Sequence, residues 1–153
     1  MSPWKLFNVA LCSVVCGLST PAFSAEDKAA TTTNTTPLRL DVNMPYSEME
    51  TDFPPWPQEV IIAGESVHRY KRLYTGDIYV EIYESEPLTL QVDDFSIDEF
   101  VTVISGKLIL TVEGQEPQIF EAGDSVMVPK GFTGIWEMQG NYRELLVVMN
   151  EGE

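Results

Sequence analysis

Basic side chains are scarce in this chain of 153 residues: nine Lys and Arg stand against 24 Asp and Glu, for a formal charge of −15. A surface of that sign repels phosphate backbones and anionic headgroups, so neither nucleic acid nor a membrane surface is an expected partner. Cations and neutral small molecules stay open. Histidine is reduced to His68, and cysteine to Cys12 and Cys16. Both cysteines lie in the first 24 residues, so the remaining chain, roughly 130 residues, has no disulfide and depends on one modest apolar core. Helix-period stretches of useful length and internal repeats are also missing.

The longest apolar run, LFNVALCSVVCGL from Leu6 to Leu18, is too short to span a bilayer core of roughly 30 Å. Lys5 precedes it, Thr20 and Pro21 end it, and Ala22 and Ser24 supply small residues at the minus-three and minus-one positions of a cleavage site. Residues 1–24 therefore read as a secretory signal peptide, and the product as exported, periplasmic or extracellular, with no membrane attachment after cleavage. The residues before Cys12 and Cys16 fit a lipoprotein signal poorly. Removal of Lys5 with the signal makes the remainder one charge more acidic.

Residues 25–37 (AEDKAATTTNTTP) hold almost no large apolar group and read as a disordered linker. Residues 38–58 are proline-rich, with Met44, Tyr46, Phe53 and Trp56 spread along them, which suits an extended arm over the domain or over a partner subunit. From residue 59 to 153 the chain becomes one domain of short β-type runs: EVIIA, SVHRYKRLY, DIYVEIY, LTLQV, EFVTVI, KLILTV, QIF, SVMV, TGIWEM and RELLVVM. Separators such as TGD, ISGK, EAGD, VPKG and MQGN divide them at about eight to twelve residues, the mark of an all-β sandwich or barrel. Alternation puts Ile78, Val80 and Ile82 on one face and Tyr79, Glu81 and Tyr83 on the other. It likewise puts Glu99 in line with Val101 and Val103, which makes it a candidate inward carboxylate.

Two half-motifs carry a family resemblance. Glu99 and Gly106 match the second half of G-x5-H-x-H-x3,4-E-x6-G, and Gly123, Pro129 and Gly131 match G-x5-P-x-G-x2-H-x3-N. Over residues 59–149 the chain thus resembles the cupin superfamily, which implies an all-β, cupin-type small β-barrel of jelly-roll form. DEFVTVISG, followed by GDSVMVPKGFTGIWE, resembles more narrowly the branch named after the cupin domain of (S)-ureidoglycine aminohydrolase, although Tyr83 stands where that branch often has Trp. Arg143 matches a basic position of the same branch.

The resemblance also implies a metal, and here the sequence departs from it. Aligned on Glu99, the two first-motif histidines fall at Asp93 and Phe95, or at Val92 and Asp94, and the second-motif histidine falls at Gly134. One or two carboxylates do not hold a transition metal as three imidazoles and a carboxylate do, so the expectation is no metal and no cofactor. His68 lies outside both motifs and reads as a hydrogen-bonding residue. An oxygen-only cation site at Asp93, Asp94, Asp98 and Glu99 is the minor alternative.

With Gly134 facing inward, Trp136 and Met138 face inward too, and Glu99 is a natural acceptor for the indole N–H. Tyr83, Phe95, Glu99, Trp136 and Arg143 are the candidate ligand-binding residues, with no catalytic residue assigned. Trp136 reads equally as a plug, and Glu99 as a carboxylate satisfied by the backbone or by Tyr83. The leading expectation is a metal-free, non-enzymatic cupin that binds a small polar molecule and forms a homodimer. The alternatives are a hydrolase or lyase similar to ureidoglycine aminohydrolase, with Glu99 as general base or sole metal carboxylate, and a structural or dimerisation module.

Overall fold

Alternation of β-branched, aromatic and polar residues produces eight antiparallel strands in a computed structural model that describes residues 36–149. The expected signal peptide at 1–24, the linker as far as residue 35 and residues 150–153 lie outside the described residues. The strands are β1 (Ile61–Gly64), β2 (His68–Thr75), β3 (Ile78–Ser85), β4 (Leu88–Val92), β5 (Glu99–Thr111), β6 (Gln118–Glu121), β7 (Ser125–Val128) and β8 (Gly134–Met149). Among the described residues, helix is confined to two single 3-10 turns, Tyr46–Glu48 and Gln58–Val60.

Ten β-type runs become eight strands because two of the expected breaks are bends instead. EFVTVI and KLILTV join into β5, and TGIWEM and RELLVVM join into β8. Gly106 in the first junction and Gly140 in the second have φ of +72° and +69°, which lets each strand turn without ending. The ladder between β5 and β8 shifts register around Ser105, beside Gly106. A side chain at Gly106 would come within 2.8 Å of the Tyr142 backbone, so the two strands cross there only because that residue has none.

These bends let β8 serve several neighbours. Gly134–Met138 pairs with β4, residues 142–149 pair with β3, and both halves pair with β5. The sheet runs β1-β4-β8-β3-β2 and continues from β8 into β5, which also pairs with β6 and β7. The result is a jelly-roll barrel. Its main core contains Leu88, Leu90, Val92, Val101, Val103, Leu108, Tyr142 and Val148 from both sides of the β5–β8 seam.

Strand β3 is buried on both faces, for two different reasons. Glu81 and Tyr83 face into the barrel, whereas Ile82 faces outward and packs with Met44 and Met49 of the arm. The arm therefore lies on its own barrel. Its central fastening is Arg143, which pairs with Glu84 at 2.6 Å and donates from Nη1 to the carbonyls of Val42 and Met44 at 3.2 and 3.0 Å. Tyr46 lies against the Arg143 and Arg69 guanidinium groups, and a β-bridge joins Glu50 to Tyr70.

Glu84 and Arg143 are both nearly buried, so removing one strands the other. Arg143→Ala is expected to cost about 3–5 kcal/mol in urea unfolding and to speed hydrogen exchange across residues 42–50. Arg143→Lys keeps the charge but loses the planar fork, and should recover only part of that loss. Unchanged exchange in the arm would show that Arg143 does not fasten it.

Candidate functional site

Inside the barrel the strands place a cavity whose wall is aromatic and aliphatic and whose charged groups are all acidic. Residue spacing on β8 builds one side: Trp136, Met138, Glu144 and Leu146 alternate inward. Across the sheet, β3 contributes Glu81 and Tyr83, and β4 contributes Leu90 and Val92. Phe95, in the connection before β5, and Glu99, its first residue, complete the strand side, while Phe53 and Trp56 of the arm flank the space. The cavity is partly open to solvent. Water-sized centres have about 40 Å³ in it, where a single water needs about 10–15 Å³ by the same measure, so it holds a few atoms.

Four of the five residues singled out from the sequence meet here. Tyr83, Phe95, Glu99 and Trp136 line the one cavity. Arg143 does not, and its expected place in the site is corrected: neighbours on a strand point to opposite faces, so with Glu144 inward Arg143 must point outward, to Glu84 and the arm. The proposed indole–carboxylate bond is likewise absent. Trp136 and Glu99 share the cavity, but Trp136 packs on Phe95 with ring centroids 5.5 Å apart and makes no hydrogen bond to Glu99. Tyr83 accepts instead from Trp56 Nε1 at 3.2 Å, which ties the arm to the cavity wall.

Glu81, Glu144 and Trp56 belong to the site and were not singled out as candidates. The two glutamates carried the same signal as Glu99, an acid in period with inward residues. Glu81 sits opposite Leu146 in the β3–β8 ladder and Glu99 opposite Val148 in the β5–β8 ladder, so both flank the face of β8 that carries Glu144. Relative exposures of 5 % for Glu81, 5 % for Glu99 and 3 % for Glu144 place three carboxyl groups almost out of bulk water.

Their partners differ. Arg72 donates from Nε to Glu81 at 2.9 Å, and the Tyr142 hydroxyl donates to Glu144 in a short hydrogen bond. Among the described residues, no donor reaches the Glu99 carboxylate, and no Lys, Arg or His lines the cavity. Burial pushes the Glu99 carboxyl well above the usual range, with Glu144 and then Glu81 adding like-charge repulsion. Glu144 is pushed up to about 7, chiefly by burial, against the opposing bond from Tyr142. Glu81 also rises through burial, held back by Arg72.

The residues at the family's metal positions do not fit a metal. Phe95 is occupied with Trp136, Asp93 is exposed, and a side chain at Gly134 would run into the Thr111 carbonyl oxygen. Glycine at 134 thus answers to a close backbone approach and not to room for the indole. Asp98 caps the turn before β8 by accepting from Lys130 N–H at 2.9 Å. No group of three His, Cys, Asp or Glu among the described residues is placed to hold a metal ion. His68 lies between Ser66 and the Phe53 carbonyl, at 3.4 Å from each, under the arm, and burial lowers its pKa.

Comparison with known proteins agrees with this geometry at the level of fold. A family model described as EutQ-like cupin domain matches residues 75–144. A protein of the DUF861 family from Pseudomonas syringae pv. tomato superposes with a TM-score of 0.63 at 20% identity, over 72% of this chain and 46% of its own. This chain therefore spans less than half of that protein. An ethanolamine utilization protein Q from Salmonella typhimurium gives 0.48 at 22% identity, over 56% of this chain and 72% of its own. A cupin superfamily protein from Desulfitobacterium hafniense gives 0.46 at 16% identity, over 63% and 95%. No curated protein matches the sequence.

Two outcomes follow from the buried acids and the glycine. A carboxyl whose pKa is higher folded than unfolded contributes fully below the unfolded value and loses that contribution as pH rises through the folded one. Stability should therefore fall from about pH 4.5 to beyond 7, and Glu99→Gln or Glu144→Gln should raise stability at pH 8 by about 1–3 kcal/mol and flatten the slope. Denaturant midpoints against pH decide it; slopes equal to that of the parent would refute the assignment. Gly134→His should destabilise by more than about 2 kcal/mol and bind no metal, as thermal melting and elemental analysis would record.

Proposed function

We propose that this chain, whose residues 75–144 match a cupin family model, binds a small polar molecule in its barrel, without a metal, between Glu99 and the rings of Trp136, Phe95 and Tyr83. The observation that carries this reading is Glu99, 5 % exposed, its carboxylate without a protein donor, facing a cavity walled by aromatic and aliphatic side chains and by Glu81 and Glu144. A carboxylate that only packed would be satisfied by backbone or side chain, as Glu81 and Glu144 are. Export of the protein, from its leader-like residues 1–24, and pairing as a homodimer belong to the same proposal. Sedimentation at micromolar concentration tests the latter, and a monomer would count against it.

A second reading is enzymatic, a hydrolase or lyase similar to ureidoglycine aminohydrolase. What favours it is the proximity of two carboxyl groups with raised pKa values, one at about 7, a pairing suited to moving a proton near neutral pH. Release of ammonia from ureidoglycine by the purified chain, abolished in Glu99→Gln, would favour it over simple binding.

Thermal-shift titration with small cationic, neutral and anionic compounds, repeated on Glu99→Ala and Trp136→Ala, tests the binding reading. The expected result is a saturable shift in the parent that falls at least about tenfold in apparent affinity in both variants. Stabilisation indifferent to both substitutions, or absent for every compound, would leave the barrel a structural module.

A further inference from the structure

The chemistry of the cavity narrows its ligand, given that the barrel binds a small molecule at all. Three carboxyl groups point into it and no basic side chain does. One of them, Glu81, already has a cation: Arg72, reaching from β2 with 41 % of its side chain exposed, neutralises it from outside. Another, Glu144, is held by the Tyr142 hydroxyl. Glu99 is left facing the space alone, and the nearest charges to it are the like charges of Glu144 and Glu81. An anionic ligand would meet only acidic groups there, with no basic side chain to receive it. A neutral ligand would leave Glu99 to relieve the repulsion by protonation.

A cation removes it. The remaining walls favour a particular kind, because Trp136, Phe95, Tyr83 and Trp56 present ring surface, which attracts a diffuse positive charge carried on methyl or methylene groups more readily than a hydrated metal ion. A hard metal ion would need several oxygens at short range, and no such group is assembled here among the described residues. Volume sets the size. At about 10–15 Å³ per water-sized position, 40 Å³ accommodates about three such positions.

We propose that the cavity is a site for a small organic cation, an alkylammonium or methylated ammonium of about three to five heavy atoms, with Glu99 as its counter-ion and the Trp136 and Phe95 rings as its wall. Binding ionises Glu99, so the cation exchanges for a proton and the complex strengthens as pH rises. The other groups facing Glu99 are Glu81 with Arg72, Glu144 with Tyr142, and the phenols of Tyr79 and Tyr83, both pushed up by burial and neutral throughout the range concerned.

Calorimetric titration of the purified chain with trimethylammonium and tetramethylammonium, against tert-butanol as a neutral probe of similar shape and acetate as an anion, tests this at pH 6 and pH 8. The expected result is binding of the cations about tenfold or more tighter than tert-butanol, tighter at pH 8 than at pH 6, with proton release that varies with buffer ionisation enthalpy. Glu99→Gln, which keeps shape and should fold at least as stably, is expected to lose about tenfold or more in cation affinity, and Trp136→Phe a smaller factor. If tert-butanol or acetate binds as well as the cations and Glu99→Ala weakens it, the cation assignment is wrong and the binding cavity stands. If no probe binds, or Glu99→Gln binds the cations within about twofold of the parent, the assignment is wrong, and a complete lack of binding takes the cavity reading with it.

Discussion

Everything in this barrel depends on the antiparallel ladder between β5 and β8. It is the longest pairing among the described residues, running from Glu99 opposite Val148 to Thr111 opposite Ile135, and its two halves are joined across a register shift where Gly106 and Gly140 let both strands bend at the same level. Had either bend been a true loop, β8 would not reach β4 with one half and β3 with the other. The inward faces of the two strands then carry the site's principal groups without further devices: Glu99 on one, Trp136 and Glu144 on the other. A site built on paired strands is held more firmly than one built on loops. Phe95 comes from a connection, where it is fixed by backbone bonds to Phe132 and Gly131, and Phe53 and Trp56 come from the arm.

Placing three carboxyl groups on that firm frame works against stability. Each is nearly dehydrated, and desolvation leads the causes that raise all three. Arg72 and Tyr142 relieve two of them, and the third is left to protonation or to something that enters from outside. Burial of unneeded acids would be disfavoured in a barrel whose only task was to be solid, since Gln in their place would cost less at neutral pH. The arm adds to the same picture. It contributes Phe53 and Trp56 to the cavity lining and Met44 and Met49 to the outer face of β3, so a single segment covers part of the barrel's outside and walls part of its inside.

Much of this was legible in the residues. The half-motifs around Glu99, Gly106, Gly123, Pro129 and Gly131 carried the fold, because turn glycines and a corner proline answer to backbone geometry that is local. Alternation carried the inward direction of Glu99 and of Trp136. Arg143 was misplaced for a reason equally physical: its position was matched by resemblance, while its neighbour Glu144, in step with Leu146 and Val148, already claimed the inward face. The same period would have found Glu144 and Glu81. Trp56 had no such signal, since its docking depends on a long-range contact with Tyr83 that no spacing within the arm encodes.

Gly134 ties these strands of argument together. The family resemblance sets an imidazole at this position, but the backbone of Thr111 stands where any side chain at 134 would begin. Since β4, β5 and β8 all pass this point, with Val92 opposite Gly134 and Thr111 opposite Ile135, restoring a metal-binding residue would mean moving two ladders. The carboxyl groups gather farther along β8, toward Glu144, where Glu81 and Glu99 converge on it. The barrel's charge is gathered there, at a place where a positive group of the right size would meet both a carboxylate and an aromatic wall.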